Sequence, residues 1–260
     1  MKIKGDSIFS TSFGGIGGGL GFNNILAETA VGGVSMPPIT DNFTYYYAPD
    51  SDVYSDTGST LALDGENIRQ WNDQSGNGNT LNQATAVDQP VYRTSILGNG
   101  NTGVQAELDF FTPTTNISIP NEQNGFTFYA VYKRDDTNNE FYINVLSTNT
   151  NCRMEWTGSQ HKFRSTAGSA RYISYTANLD TKIVAYSLDR IADTFKMYVN
   201  GSFYGDFLGG SVTDYPIEWD KLFNSNYGIT FGNQLLYGEA HNASEVASVS
   251  SWLNDKYVIY

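Results

Sequence analysis

The chain has 260 residues, with 27 acidic against 15 basic side chains and a formal net charge of −12. That balance argues against binding a phosphate backbone, which needs clustered Lys and Arg, and against an anionic membrane surface, so neither nucleic acid nor membrane is an expected partner. A single cysteine, Cys152, rules out an intrachain disulfide, and 14% aromatic with only 16% charged residues suits an all-β domain with many half-buried strands.

Residues 1–40 differ in kind from the rest. The run from Phe13 to Phe22 (FGGIGGGLGF) is glycine-rich with spaced apolar residues, and Val31-Gly32-Gly33-Val34 repeats the theme. Such a segment builds no core of its own, because its glycines have much entropy to lose and hold the apolar side chains apart. Phe9, Phe13, Ile16, Leu20 and Phe22 are nonetheless apolar enough to dock into grooves on a partner. The segment therefore reads as a partner-binding arm, with a flexible leader as the alternative. Its glycines follow neither dinucleotide nor P-loop spacing. Lys2 and Lys4 precede Gly5-Asp6-Ser7 rather than an apolar run, so no signal peptide is expected, and no stretch is long enough to span a bilayer. Pro37-Pro38 stiffens the join to a main domain over residues 41–260.

In that domain Phe43 to Ala48 (FTYYYA) reads as the first strand and Asp50 to Asp56 as a loop. Asn67 to Trp71 is a strand entering the turn WNDQSGNGNTLNQ, Trp71 to Gln83. There Gly76 and Gly78 supply positive φ, Asn77 and Asn79 tolerate it, and Asp73 and Ser75 accept backbone N–H bonds. Val104 to Phe111 is a strand stopped by Pro113, and Phe126 to Tyr132 (FTFYAVY) is continuous enough to be a central strand buried on both faces. Shorter strands follow at Phe141 to Leu146, Arg153 to Trp156 and Tyr172 to Tyr175. Lys182 to Leu188 leads to Phe195–Val199, and Asn200-Gly201 signals a type I′ hairpin returning through Phe203 to Phe207. Asn200-Gly201-Ser202 also matches a glycosylation acceptor, for which the turn is sufficient explanation. One helix is expected near the end: Asn242 caps it, Glu245 completes a capping box, and Val246, Val249, Leu253 and Tyr257 share a face with Trp252 beside them. It is expected to pack across a sheet edge or an open end.

Gly65, Ile68, Trp71, the Ser75–Asn79 loop, Gln83-Ala84-Thr85 and Gln89-Pro90-Val91-Tyr92 occur in an order that resembles a concanavalin A-like (laminin-G-type) jelly roll. Met197-Tyr198-Val199-Asn200-Gly201, Leu235-Leu236-Tyr237, Glu245 and the run from Trp252 to Tyr257 carry the same resemblance, which covers roughly Asn42 to Tyr260. The similarity is greatest to the form found in phage virion proteins and bacterial surface proteins. It implies an all-β, two-sheet antiparallel jelly-roll sandwich with one C-terminal helix and an extended Gly-rich N-terminal arm. Because this scaffold hosts lectins, hydrolases, lyases and adhesion modules, it does not fix function alone. The virion form implies a non-enzymatic structural protein (capsid decoration, head fibre or tail-associated), oligomeric and anchored to other virion subunits through residues 1–40. It would display a lectin-like domain toward host surface glycans. A free carbohydrate-binding module is the alternative, and a glycoside hydrolase ranks third.

Laminarinase-type glucanases of this fold place Glu, Asp and Glu on one strand face. Glu107-Leu108-Asp109 matches the first two, but the third falls on Phe111, or on Thr112 after a bulge. Neither protonates a leaving group, and a retaining mechanism needs two carboxyls about 5 Å apart. Glu218-Trp219-Asp220 is the comparable second triplet. His161 and His241 lie in no nucleophile elbow, and with one cysteine they build no conventional zinc site without carboxylates. No catalytic residue is expected. Calcium stays open as a cofactor: Asp73, Ser75, Asn77 and Asn79 present oxygens at alternate positions as an EF-hand does, although position twelve is Ala84 rather than Glu. Asp50, Asp52 and Asp56 form a second cluster. At both places the alternative is that the side chains bond only their own turns. Carbohydrate contact needs exposed aromatic faces beside polar groups; Trp156, Tyr172, Tyr175, Trp219 and Tyr227 are the candidates, with burial in the core as their alternative.

Overall fold

A computed structural model describes residues 35–137, 141–147, 149–165, 170–224 and 227–260. The proposed docking residues Phe9, Phe13, Ile16, Leu20 and Phe22 lie outside the described residues. The first strands in chain order are β1 (Phe43–Tyr47), β2 (Val53–Tyr54), β3 (Gln70–Trp71), β4 (Leu81–Asn82), β5 (Val91–Arg93) and β6 (Gly103–Ala106). Then come β7 (Thr112–Pro113), β8 (Ile117–Ile119), β9 (Gly125–Arg134), β10 (Phe141–Leu146), β11 (Asn149–Trp156), β12 (Gln160–Arg164) and β13 (Ala170–Ser174). The last are β14 (Lys182–Asp189), β15 (Thr194–Val199), β16 (Ser202–Asp206), β17 (Ile217–Trp219), β18 (Lys221–Leu222) and β19 (Ile229–Tyr237), followed by α1 (Ala243–Tyr257).

The strands pair antiparallel into a β sandwich. The large sheet runs β16-β15-β14-β9-β19-β6-β5, with β1 added along the second half of β19. Opposite it lie a five-stranded sheet, β13-β12-β11-β10-β18, and two small sheets, β2-β3-β4-β7 and β17-β8. Alternation in β9 and β14 sends Phe126, Phe128, Tyr132, Val184 and Tyr186 into the core between the layers, where they meet Trp71, Met154, Trp156 and Phe163. The intervening Tyr129, Val131, Ile183 and Ala185 face a second core, closed by Val246, Val249, Leu253 and Tyr257 of α1. The expected central strand is therefore buried on both faces. The helix lies neither on an edge nor on an open end. It covers the outer face of the large sheet, because that face is apolar and burying it removes far more surface from water than an edge offers.

A bulge in β19 makes this second core possible. Phe231 pairs with Tyr132 and Gln234 with Ala130, so β19 advances three residues while β9 advances two. One extra residue swaps the faces: Ile229 and Phe231 point into the inner core, Leu235 and Tyr237 toward the helix. Gly232 permits the close approach, since a Cβ there would come within 2.8 Å of the Tyr257 hydroxyl. The buried Asn233 then ties the layers. Its backbone N–H donates to the Tyr257 hydroxyl at 3.0 Å, which donates back to Asn233 Oδ1 at 2.7 Å. Lys256 Nζ donates to the same Oδ1 (3.0 Å), and Asn233 Nδ2 donates to the Tyr46 hydroxyl (3.1 Å).

Other local expectations hold with amendments. Asn242 caps α1 in a full capping box with Glu245, and Asn200 and Gly201 take φ of 50° and 75° in the β15–β16 hairpin. In the Trp71–Gln83 turn only Gly76 and Gly78 carry positive φ. Asn77 and Asn79 instead donate side-chain bonds to the β1 carbonyls of Phe43 (2.6 Å) and Thr44 (2.7 Å). The strand expected to run to Phe111 ends at Ala106, where the Asp109 carboxylate accepts the Glu107 N–H at 2.8 Å and Leu108 turns to φ 65°. Residues 35–40, assigned to the arm, lie against the domain: Trp252 Nε1 donates to Ser35 Oγ at 3.2 Å, and the Tyr237 hydroxyl to the Ile39 carbonyl at 3.0 Å.

Two measurements check this account. Asn233→Ala leaves buried donors without an acceptor and is expected to cost about 2–4 kcal/mol in urea unfolding. In a cycle with Tyr257→Phe the coupling is expected at about 1–3 kcal/mol, whereas strict additivity would dissolve the tie. His161 and His241 are buried, with Nδ1 bonded to the hydroxyls of Tyr186 (2.6 Å) and Tyr129 (2.7 Å). Burial pulls both below the ordinary histidine range, His241 to about 4. Because the unfolded chain protonates first, stability is full above pH 6.5 and falls as pH drops toward 4. His241→Asn should flatten that slope in thermal melts across the window; an unchanged slope would contradict it.

Candidate functional site

With α1 on the large sheet, the outer face of β11, β12 and β13 is open to solvent. These strands keep strict alternation: Met154, Trp156, His161, Phe163, Arg171 and Ile173 point inward and are buried. Arg153, Glu155, Gln160, Lys162, Arg164, Tyr172 and Ser174 point outward. Register sets Glu155 opposite Lys162 and Lys162 opposite Tyr172, while Tyr172 forms a bridge with Leu208. A row Glu155–Lys162–Tyr172–Leu208 thus crosses the sheet. Mutual backbone bonds hold its end, from Tyr172 N–H to the Leu208 carbonyl (3.2 Å) and from Leu208 N–H to the Tyr172 carbonyl (2.8 Å). Tyr172 is 40% and Leu208 56% exposed.

Glu155 is on this outer face yet only 2% exposed, because cations cover it. Arg153 Nε lies 3.1 Å from Oε2, Lys162 Nζ 3.0 Å from Oε1 and Arg164 Nε 3.7 Å from Oε2. Burial works against ionisation, but the hydrogen bonds and charge of Lys162 and Arg153 outweigh it and hold the carboxyl below its ordinary range. Beside Lys162 opens a groove of about 550 Å³, lined by Thr157, Ser159, Gln160 and Thr176. Its wall is fixed by the β11–β12 turn, where Thr157 Oγ1 accepts the N–H of Gln160 at 2.9 Å and of Ser159 at 3.3 Å. An aromatic ring, hydroxyls, an amide and cations therefore share one sheet face.

The five aromatic candidates do not form one surface. Trp156 and Trp219 are fully buried, and Tyr175 nearly so, because each occupies an inward position; the Trp156 ring lies 4.3 Å from Tyr132 in a tilted contact and stacks on His161 at 5.1 Å, and Tyr175 lies 4.5 Å from His161. None of the three offers a face to a sugar. Tyr172 and Tyr227 are exposed, but Tyr227 precedes β19 of the other sheet.

At the calcium candidates the side chains bond their own turns and neighbouring elements. Asp73 accepts from Tyr46 N–H (2.9 Å), Ser75 N–H (2.9 Å), Ser75 Oγ (2.7 Å) and Asn79 N–H (3.1 Å), while Asn77 and Asn79 turn toward β1. Asp50 pairs with Lys256 at 2.7 Å and Asp52 accepts from Tyr54 and Gln74, whereas Asp56 accepts from Ser59 and Thr60, so these three serve different neighbours. Among the described residues no three His, Cys, Asp or Glu side chains converge as metal ligands. Glu107 and Asp109 flank a turn rather than sharing a strand face, and Phe111 is buried. Arg153, Glu155, Lys162 and Arg164 were not singled out from sequence, although alternating charge in Arg153-Met154-Glu155-Trp156 and His161-Lys162-Phe163-Arg164 carries the signal.

No family model matches the sequence, and no curated protein matches it. Solved structures do. The binding domain of Paraclostridial Mosquitocidal Protein 1 superposes with a TM-score of 0.57 at 14% identity, over 83% of this chain and 53% of that one. The botulinum neurotoxin type G receptor-binding domain gives 0.53 at 12% identity, over 82% and 51%. The binding domain of botulinum neurotoxin DC, in complex with SialylT, gives 0.51 at 10% identity, over 83% and 52%. The chain thus spans about half the length of these structures, and at such identity the likeness establishes the β-sandwich fold.

Replacing Glu155 by Gln removes the charge that holds three partly exposed cations together. Glu155→Gln is expected to lower stability by about 1–2 kcal/mol at neutral pH. Since the folded carboxyl titrates below its unfolded counterpart, the contribution is full above the ordinary Glu range and fades as pH falls. The variant's deficit should therefore shrink in acid. A deficit independent of pH would contradict the ion cluster.

Proposed function

We propose that this chain is a non-enzymatic binding module whose β11–β13 face grips surface glycans, carried on a phage virion by residues 1–40. The observation that carries the reading is Tyr172, exposed and held between Lys162 and Leu208 beside a groove of hydroxyl and amide groups. A sugar ring has an apolar C–H face that stacks on an aromatic plane and hydroxyls that need fixed hydrogen-bond partners, and both are offered within one sheet face. Similar folds in toxin binding domains, one of them solved with SialylT, support a receptor-binding role. The virion part rests on the resemblance and on the apolar residues spaced through the Gly-rich arm, which on contact with another subunit would be buried at about 1.5–3 kcal/mol each. The rival, a free-standing carbohydrate-binding module, draws on the same face and dispenses with the arm.

Three variants separate these parts. Tyr172→Ala should weaken retention on a glycan array at least about tenfold, the loss of one ring contact, while Tyr227→Ala leaves it unchanged. The reverse pattern would move the site elsewhere. Deleting residues 1–34 should leave glycan retention intact and abolish incorporation into purified particles. Normal incorporation of the truncated chain would sink the arm's role and favour the free module.

A further inference from the structure

Resting on that glycan-binding reading, we infer that the β11–β13 face selects an acidic saccharide, with Arg164 and Lys162 taking a sugar carboxylate and the adjoining groove its neutral neighbours. Three cations share one buried carboxylate on this face, in a chain whose total charge is −12. Holding a single Glu in place needs fewer. Lys162 makes a close bond to Glu155, but Arg164 stands 3.7 Å away, and its Nε is buried without a hydrogen-bond partner. Because Nε faces Glu155 from the buried side, a planar acid would meet the outer edge of this guanidinium, whose side chain is 28% exposed, and engage it through two parallel N–H bonds.

The layout also gives the ligand a direction. Gln160, Lys162 and Arg164 alternate outward along β12, so their side chains form a track of about 13 Å on the strand's rise per residue. The groove with Thr157, Ser159 and Thr176 lies at the Gln160 end, and the Arg164 guanidinium at the other. Tyr172 stands opposite Lys162 midway along, where a ring of the same saccharide would stack. A chain of sugars laid along β12 thus meets hydroxyl and amide groups, then an aromatic plane, then cations.

The test uses the full chain and two pairs of probes in calorimetric titration: trigalacturonate against its methyl ester, and 3′-sialyllactose against lactose. At least one acid is expected to bind about tenfold more tightly than its neutral counterpart, as charged hydrogen bonds allow, and more weakly as salt rises. Arg164→Gln should erase that preference, Arg164→Lys restore part of it, and Lys196→Gln, on the large sheet, leave it intact. Thermal melts establish that each variant is folded. Which acid wins separates a uronate from a sialate source. Equal binding of acid and neutral partner, still lost in Tyr172→Ala, would overturn the acidic preference and leave the glycan reading standing. Binding of no saccharide by the folded protein would overturn both.

Discussion

The architecture hinges on one extra residue in β19. The bulge at Gly232–Gln234 swaps the inward and outward sets of that strand, and Asn233 at its apex holds Tyr257, Lys256 and Tyr46 together. Without the swap, β19 would present the wrong side chains to the helix. With it, α1 seals the outer face of the large sheet and that layer is apolar on both sides. The consequence reaches the proposed binding surface, because the open sheet face then belongs to β11, β12 and β13.

Two acidic side chains show how scaffold differs from site. Asp73 is satisfied by uncharged N–H and O–H donors of its own turn and neighbouring strand. Glu155 is satisfied by cations that together exceed its charge, and one of them keeps an unmatched donor. The first arrangement closes a loop. The second gathers three cations around one carboxylate, a local excess of positive charge on a chain whose net charge is −12.

Much of the fold is legible in the sequence where short-range chemistry decides it. Asn200-Gly201 and the Asn242–Glu245 capping box each specify their own geometry, and the unbroken apolar run in β9 announces a strand covered on both sides. What escapes is the identity of the partner surface. Alternation shows that Trp156 and Glu155 face opposite ways, but not which way is in, so Trp156 and Trp219 pass for binding aromatics. The helix's apolar face is equally plain while its destination is not, because the bulge that prepares the receiving surface is a shift of one residue, seen only once β19 is paired with β9. Charge alternation in β11 and β12 is visible too, and only cross-strand register turns it into a cluster.

The central claim, that the β11–β13 face is where ligand sits, is tested most directly by an amide NMR titration of the full chain with a saccharide that binds it. The account predicts shift changes concentrated in residues 153–164 and 170–176, with the Trp71–Gln83 turn and α1 unmoved. Changes concentrated in that turn or along the helix, with β11–β13 silent, would contradict it.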